Sequence, residues 1–224
     1  MLLLGIDTSG KHGSLALARG DARRFEVLEV MPLTGGTFSA QLIPQIAALL
    51  SKHDLKKEDV DAIAAASGPG SFTGLRVGLA AVKALAEVHG KPVAMVSLLE
   101  AVAVESGQEG KVVAALDAGR SEVYAGEFEV KGGQAVLCHE CLFTPGEFAD
   151  VLRTSGRHAV TPDEAVARTL KELGVAEAVV TVSRPRSDAI ARLGLRKILT
   201  GRTVTPEELD ANYIRRSDAE IFQK

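Results

Sequence analysis

Two aspartates sit where a short apolar run gives way to a turn: Asp7 in Leu4-Gly5-Ile6-Asp7-Thr8-Ser9 and Asp117 in Leu116-Asp117-Ala118-Gly119-Arg120-Ser121. Carboxylates placed this way can hold metal-bound water against the phosphates of a nucleotide, with Thr8, Ser9, Gly119 and Ser121 shaping the turns around them. Asp117-Ala118-Gly119 has the D-x-G form that such turns take, whereas Asp7-Thr8-Ser9 lacks the glycine that lets a phosphate approach the backbone. A simpler reading stays open beside this one, because an Asp at a strand end also starts a turn unaided. A small ATP-dependent kinase or ATPase therefore has two candidate carboxylates here and no complete site.

A second stretch, Ser67-Gly68-Pro69-Gly70-Ser71-Phe72-Thr73-Gly74-Leu75-Arg76-Val77-Gly78, joins the apolar run 61–66 to a helical pattern that reaches Gly90. A glycine-rich turn from strand to helix points backbone N–H groups at whatever lies above the helix start. Gly68, Gly70 and Gly74 are spaced G-x-G-x-x-x-G, one residue too long for the dinucleotide fingerprint, and no Gly-Lys-Ser/Thr follows for a P-loop. Two readings remain. One is a tight structural turn capped by Ser71 or Thr73; the other is a ligand contact using Gly68, Gly70, Ser71, Thr73, Gly74 and Arg76.

Other chemistry has less to build on. Cys138 and Cys141 form a lone C-x-x-C in a segment that reads as a strand, where residues three apart face opposite sides, and no second ligand pair exists for zinc. His12, His53, His89, His139 and His158 are scattered, with no H-x-x-x-H spacing and no G-x-S-x-G elbow elsewhere. Neither a metal site nor a catalytic centre is assigned. Arg184, Arg186, Arg192, Arg196, Lys197 and Arg202 crowd a segment whose lone acid is Asp188, and Arg215-Arg216 follow. That cluster reads as a solvated helix face or as a patch that helps an assembly touch RNA.

These residues need elements to hold them. Strands are expected at 2–7, 14–19, 23–30, 61–66 and 92–96, a helix from Phe38 to about His53 with Pro44 inside it, a second from the glycine-rich loop to Gly90, and a third starting near Ser97. From Lys111 the order starts over: strands at 112–117, 122–130 and 135–143, a short one at 158–160, and one at 178–182 before a helix over 187–199. Thr144-Pro145-Gly146-Glu147, Thr161-Pro162-Asp163-Glu164 and Thr205-Pro206-Glu207-Glu208 each offer Thr as cap, Pro at the first helical position and Glu three residues after the cap. The reading is an N-terminal lobe over 1–106, a second lobe over 107–204 and a tail over 205–224 that packs back on the body. Two matching βββαβα halves resemble the actin and sugar-kinase superfamily, so the fold class is α/β with two RNase H-like lobes of mixed sheet.

The helix after the glycine-rich loop has two apolar sides. Leu75, Leu79, Val82 and Ala86 form one row; Val77, Ala81, Ala84 and Val88 form another nearly opposite, and the charged row Arg76, Lys83 and Glu87 is narrow. One row can lie on the sheet. The other needs a second helix or another protein, and the pattern leaves open which is which.

With 224 residues, 46% hydrophobic and 25% charged, the chain can bury a real core. Its net charge of -3 and pI near 6.0 carry no overall polyanion-binding signature. The start has no charged region followed by a long apolar stretch, and no 18 apolar residues run together, so a cytoplasmic protein with no membrane contact is expected.

Leu4-Gly5-Ile6-Asp7-Thr8-Ser9, Gly68 to Gly78, Asp117-Ala118-Gly119-Arg120-Ser121-Glu122-Val123-Tyr124 and Tyr213-Ile214-Arg215 together resemble the bacterial TsaB (YeaZ) family. The resemblance is close in the first half and loose in the second, and the G-P-G-S-F-T-G-L-R stretch is its most specific part. It implies a two-lobed protein without independent catalysis and without a cofactor of its own. It also implies a partner, the metal- and nucleotide-binding TsaD subunit, which acts with the TsaE ATPase and the TsaC supplier to form threonylcarbamoyladenosine beside the anticodon of tRNAs reading codons that start with A. ATP or ADP and metal are then expected in the partner, a homodimer in its absence, and tRNA only through the complex. By the same resemblance, the first two long helices form the pairing surface, with Phe38, Leu42, Ile46, Leu75, Leu79, Val82 and Ala86, or else Val77, Ala81, Ala84 and Val88, in the contact. Where the family commonly has His-Ser-Glu, this chain has Phe38-Ser39-Ala40, which would retune that surface. A metallopeptidase, suggested only by old naming of the wider family, finds no paired histidines.

Overall fold

The computed structural model describes residues 1–34 and 38–214, so the Gly35-Gly36 break, Arg215-Arg216 and the end of the expected tail lie outside the described residues. The chain divides into two units: Met1–Ser97 with Arg186–Asn212, and Leu98–Pro185 with Tyr213 and Ile214.

In the first unit, β1 (Leu2–Asp7), β2 (His12–Gly20) and β3 (Phe25–Thr34) form an antiparallel meander. Helix α1 (Phe38–Lys52) leads to β4 (Ala62–Gly68), and α2 (Phe72–His89) leads to β5 (Val93–Ser97). β4 runs parallel to β1, and β5 parallel to β4, giving the order β3-β2-β1-β4-β5. The two faces of this sheet differ because the strands alternate large and small residues. Leu4, Ile6, Leu15, Leu17 and Ile63 point into a core with Leu42, Ile46, Leu49, Leu79 and Val82 from α1 and α2. Gly5, Ala16, Ala18 and Ala64 make the other face, which is shallow enough for a helix to lie almost on the backbone.

The second unit repeats the plan. α3 (Leu98–Glu105) precedes β6 (Gly110–Gly119), β7 (Glu122–Lys131) and β8 (Gln134–Phe143), again antiparallel. α4 (Pro145–Ser155) leads to β9 (Ala159–Thr161), and α5 (Glu164–Glu172) to β10 (Val179–Thr181), both strands parallel to β6. The order β8-β7-β6-β9-β10 is the first sheet's order over again. Val113, Ala115, Phe148, Leu152, Val166 and Leu170 fill the core under α4 and α5.

The sequence-based boundaries at 106 and 204 differ from the observed ones at two helices. α3 packs on β6, β7 and β8, so it belongs with the second sheet. α6 (Ser187–Leu199) returns to β1, β2, β4 and β5, where Gly194 abuts Ala64 and the carbonyl of Ser187 lies against Gly5. Residues 204–212 also pack back on the first unit: Val204 bridges Val93, Leu209 and Ala211 touch its core, and the Asn212 N–H donates to the Ser67 carbonyl at 2.7 Å.

The three Thr-Pro signatures have three outcomes. Thr144 caps α4 with a full capping box: the Glu147 N–H donates to its hydroxyl, and the Glu147 carboxylate accepts from the Thr144 N–H at 2.9 Å and from its O–H at 2.7 Å. α5 starts two residues late, with Asp163 as cap, because Thr161 is buried inside β9 and its hydroxyl accepts from the Asp163 N–H. Thr205 opens only a single turn, in which its N–H donates to the Glu208 carboxylate.

Candidate functional site

The turn after β1 and the glycine-rich loop are one structure. Asp7, Thr8 and Ser9 are all buried. Asp7 Oδ1 accepts from the Ser9 N–H at 2.9 Å and from the Ser9 hydroxyl, an Asx-turn that holds the carboxylate over its own backbone. The Thr8 hydroxyl donates to the Gly74 carbonyl at 2.8 Å, and the Ser71 N–H donates to the Ser9 carbonyl at 2.6 Å. A Cβ at Gly70, Gly74 or Gly78 would collide with Ser9 or Thr8. These three glycines therefore make room for the β1 turn, and the loop supports the structural reading left open by its spacing. Ser71, not Thr73, caps α2: its hydroxyl accepts from the Gly74 N–H. Thr73 is exposed, Arg76 lies 3.7 Å over the Phe72 ring, and Gly68 adopts φ +107 at the strand end.

In the second unit, Asp117 occupies the position in β6 that Asp7 holds in β1, but it is exposed. Its Oδ1 accepts from the Gly119 N–H at 2.8 Å, and the chain turns back through positive φ at Gly119, Arg120 and Ser121. The Asp117 N–H donates to Asp163 Oδ2 at 2.8 Å, while Arg184 holds Asp163 Oδ1 at 2.6 Å. Asp163 and Arg184 are the residues sequence reasoning missed at this turn. The Thr-Pro-Asp-Glu segment offered a signal, read there as a helix start. Asp7 with the glycine-rich loop forms a turn cluster in the first unit, and Asp117 with Asp163 forms one in the second.

Burial tells the two rows of α2 apart. Leu75, Leu79, Val82 and Ala86 are buried in the first unit's core, as are Leu42 and Ile46 of α1. That row is the core row, a correction to its place among the surface candidates. Phe38 joins it, its ring against the Gly13 backbone, so the departure at Phe38 alters the interior, while Ser39 and Ala40 are exposed on the outer surface. The outward row is Val77, Ala81, Ala84 and Val88. Val77 and Ala81 are half-buried, Ala84 is exposed, and Val88 is 76% exposed. Ala80 widens this face, and on the adjacent α1 Ile43 is 44% exposed.

Among the described residues, no group of three or more His, Cys, Asp or Glu side chains stands close enough to hold a metal ion. Cys138 and Cys141 are free thiols on β8, an edge strand. Carboxyls held below their ordinary range lie at turns and caps and, for Glu29, within β3. At Asp21 the cause is the N–H groups of Arg23 and Arg24; at Glu29, Lys52 and His53; at Glu147, the N–H and O–H of Thr144. No described helix is long and apolar enough to cross a membrane.

The family model described as tRNA N6-adenosine threonylcarbamoyltransferase (TsaD) matches residues 32–165. The Bacillus subtilis protein named tRNA threonylcarbamoyladenosine biosynthesis protein TsaB is 34% identical over 134 residues, 59% of this chain and 57% of that protein. Its Haemophilus influenzae namesake is 39% identical over 127 residues, 55% of this chain and 52% of that protein. The solved structure of YeaZ from Pseudomonas aeruginosa, 26% identical, superposes with a TM-score of 0.73 over 95% of this chain and 100% of that one. The chain belongs to this family, on its TsaB (YeaZ) branch. It spans about half the length of the curated TsaB relatives it matches. The YeaZ match extends through both sheets, so the TsaB-type α/β fold holds for each unit.

Proposed function

We propose that this chain is the non-catalytic partner of a TsaD-type subunit in the assembly that forms threonylcarbamoyladenosine next to the anticodon of tRNAs reading codons that begin with A. The reaction comes from the printed names of the TsaB relatives. The observation that carries the partner role is the outward face of α2. A helix whose inner row already fills its own core still presents Ala80, Ala84 and Val88 to solvent, and the neighbouring α1 exposes Ile43. Small residues there let a second helix approach closely. On this reading α1 and α2 pair with TsaD, or with a second copy of the chain when TsaD is absent. ATP or ADP and metal belong to the partner, a TsaE-type ATPase joins the assembly, and the work is done in the cytoplasm.

The test is to place Glu at Ala84 and, separately, at Val88, and to follow assembly with the cognate TsaD-type subunit by sedimentation velocity alongside reconstituted tRNA modification. Each variant is expected to keep the thermal midpoint of the parent and to lose at least tenfold in association, since a charge forced into an apolar contact has no partner there. Undiminished assembly in both would remove the proposal. The kinase or ATPase alternative is tested by calorimetry, because brisk ATP turnover by the isolated chain would favour it.

A further inference from the structure

We infer that the outer face of α6, together with the β2–β3 turn of the same unit, binds the phosphate backbone of RNA. The two segments are packed together. Leu195 of α6 lies against Gly20, the Phe25 ring sits beside the same glycine, and the Arg192 guanidinium is 4.6 Å over that ring. Arg196 follows Arg192 one helical turn later. Arg19, Arg23 and Arg24 are exposed on the β2–β3 side, as is Arg192 on the helix.

The cations on residues 19–26 and 187–199 are Arg19, Arg23, Arg24, Arg192, Arg196 and Lys197, and the acids are Asp21, Glu26 and Asp188. The acids are used locally: Asp21 accepts from the Arg23 and Arg24 N–H groups, Glu26 pairs with Arg24 at 3.2 Å, and Asp188 with Arg186 at 3.5 Å. Lys197 is spent on the Met95 carbonyl. The surplus is therefore positive and carried by arginine. Guanidinium groups match phosphate oxygens in a bidentate fork, and one stacked on an aromatic ring loses little further freedom on binding.

The whole-chain charge of -3 conceals this face because most of the acids lie elsewhere in the chain, and a local field decides phosphate binding. A few such ion pairs give weak affinity, on the order of 10⁻⁴–10⁻⁶ M at physiological salt. That suits a surface supplementing an RNA site held by an assembly. The face is separate from α1 and α2, which cover the opposite side of the sheet. Binding by the chain alone thus stands or falls independently of the pairing proposed above.

The experiment titrates a fluorescein-labelled unmodified tRNA transcript with the full chain and follows anisotropy at 50 and 200 mM salt. The variants are the doubles Arg192→Glu/Arg196→Glu and Arg19→Glu/Arg23→Glu, with Lys171→Glu in the second unit as control. Thermal melts confirm that each folds, and Arg→Gln doubles replace any that does not. Each double is expected to bind at least tenfold more weakly and to flatten the salt dependence by about 0.7 in the log–log slope for every phosphate left unneutralised. The control is expected to match the parent. Sedimentation with the TsaD-type subunit is expected to stay unchanged in both doubles, which separates this surface from the pairing one. Equal RNA affinity in parent and doubles would overturn the inference. So would arginine-dependent binding to phosphatidylglycerol vesicles or a poly-glutamate peptide that equals binding to RNA.

Discussion

Glu147 shows how a single exposed side chain acquires a role through geometry. Two donors from Thr144 converge on its carboxylate and stabilise the ionised form, which lowers its pKa in the folded protein. A depressed carboxyl contributes stability that is present above its unfolded pKa, about 4.3, and is lost as pH falls through the folded value. The parent's thermal midpoint is therefore expected to drop more steeply than that of Glu147→Gln below about pH 4.3, with the two curves running parallel at higher pH; melts by circular dichroism from neutral to acidic pH check this. The cap at Thr144 was legible in the sequence because its partners are local. The same letters at Thr161 misled, since a tertiary demand, burial in β9, had already claimed that residue. The β1 turn shows a further limit. Nothing in Gly70, Gly74 and Gly78 says that Thr8 and Ser9, some sixty residues earlier, are what they accommodate.

At the level of the element, periodicity identifies both apolar rows of α2 but not their assignment, because each row satisfies a helical stripe and only the position of the sheet distinguishes them. The strands held the missing clue: alternation of large and small residues in Leu4-Gly5-Ile6 and Leu15-Ala16-Leu17-Ala18 marks a deep face and a shallow one. Two neighbours on α1 give the matching test. Leu42 is buried beneath the helix and Ile43 is largely outside. Leu42→Ala is expected to cost about 2–5 kcal/mol by urea unfolding, and Ile43→Ala no more than about 0.5 kcal/mol. At Ile43, weakened association with the TsaD-type subunit is the expected phenotype in place of instability.

On the scale of the molecule, the duplicated plan was readable from the order of strands and helices, and both five-stranded sheets follow it. The ownership of the helices was not. Chain order suggests that a helix serves the sheet it follows, whereas α3 serves the second sheet and α6 the first. A fragment spanning 1–97 lacks the helix that covers Gly5, Ala16, Ala18 and Ala64. It is expected to remain loosely packed, with poor amide protection in hydrogen exchange. Joining residues 186–212 to it through a flexible linker is expected to restore protection in β1 and β4.

That borrowed helix has a bearing on how the protein is made. When Ser97 leaves the ribosome, 88 residues of the other unit, from Leu98 to Pro185, must still be synthesised before the first residue of α6's own segment appears. At about 5–20 residues per second, the nascent first sheet spends several seconds with one side bare. Its alanine- and glycine-rich lining exposes little grease during that wait.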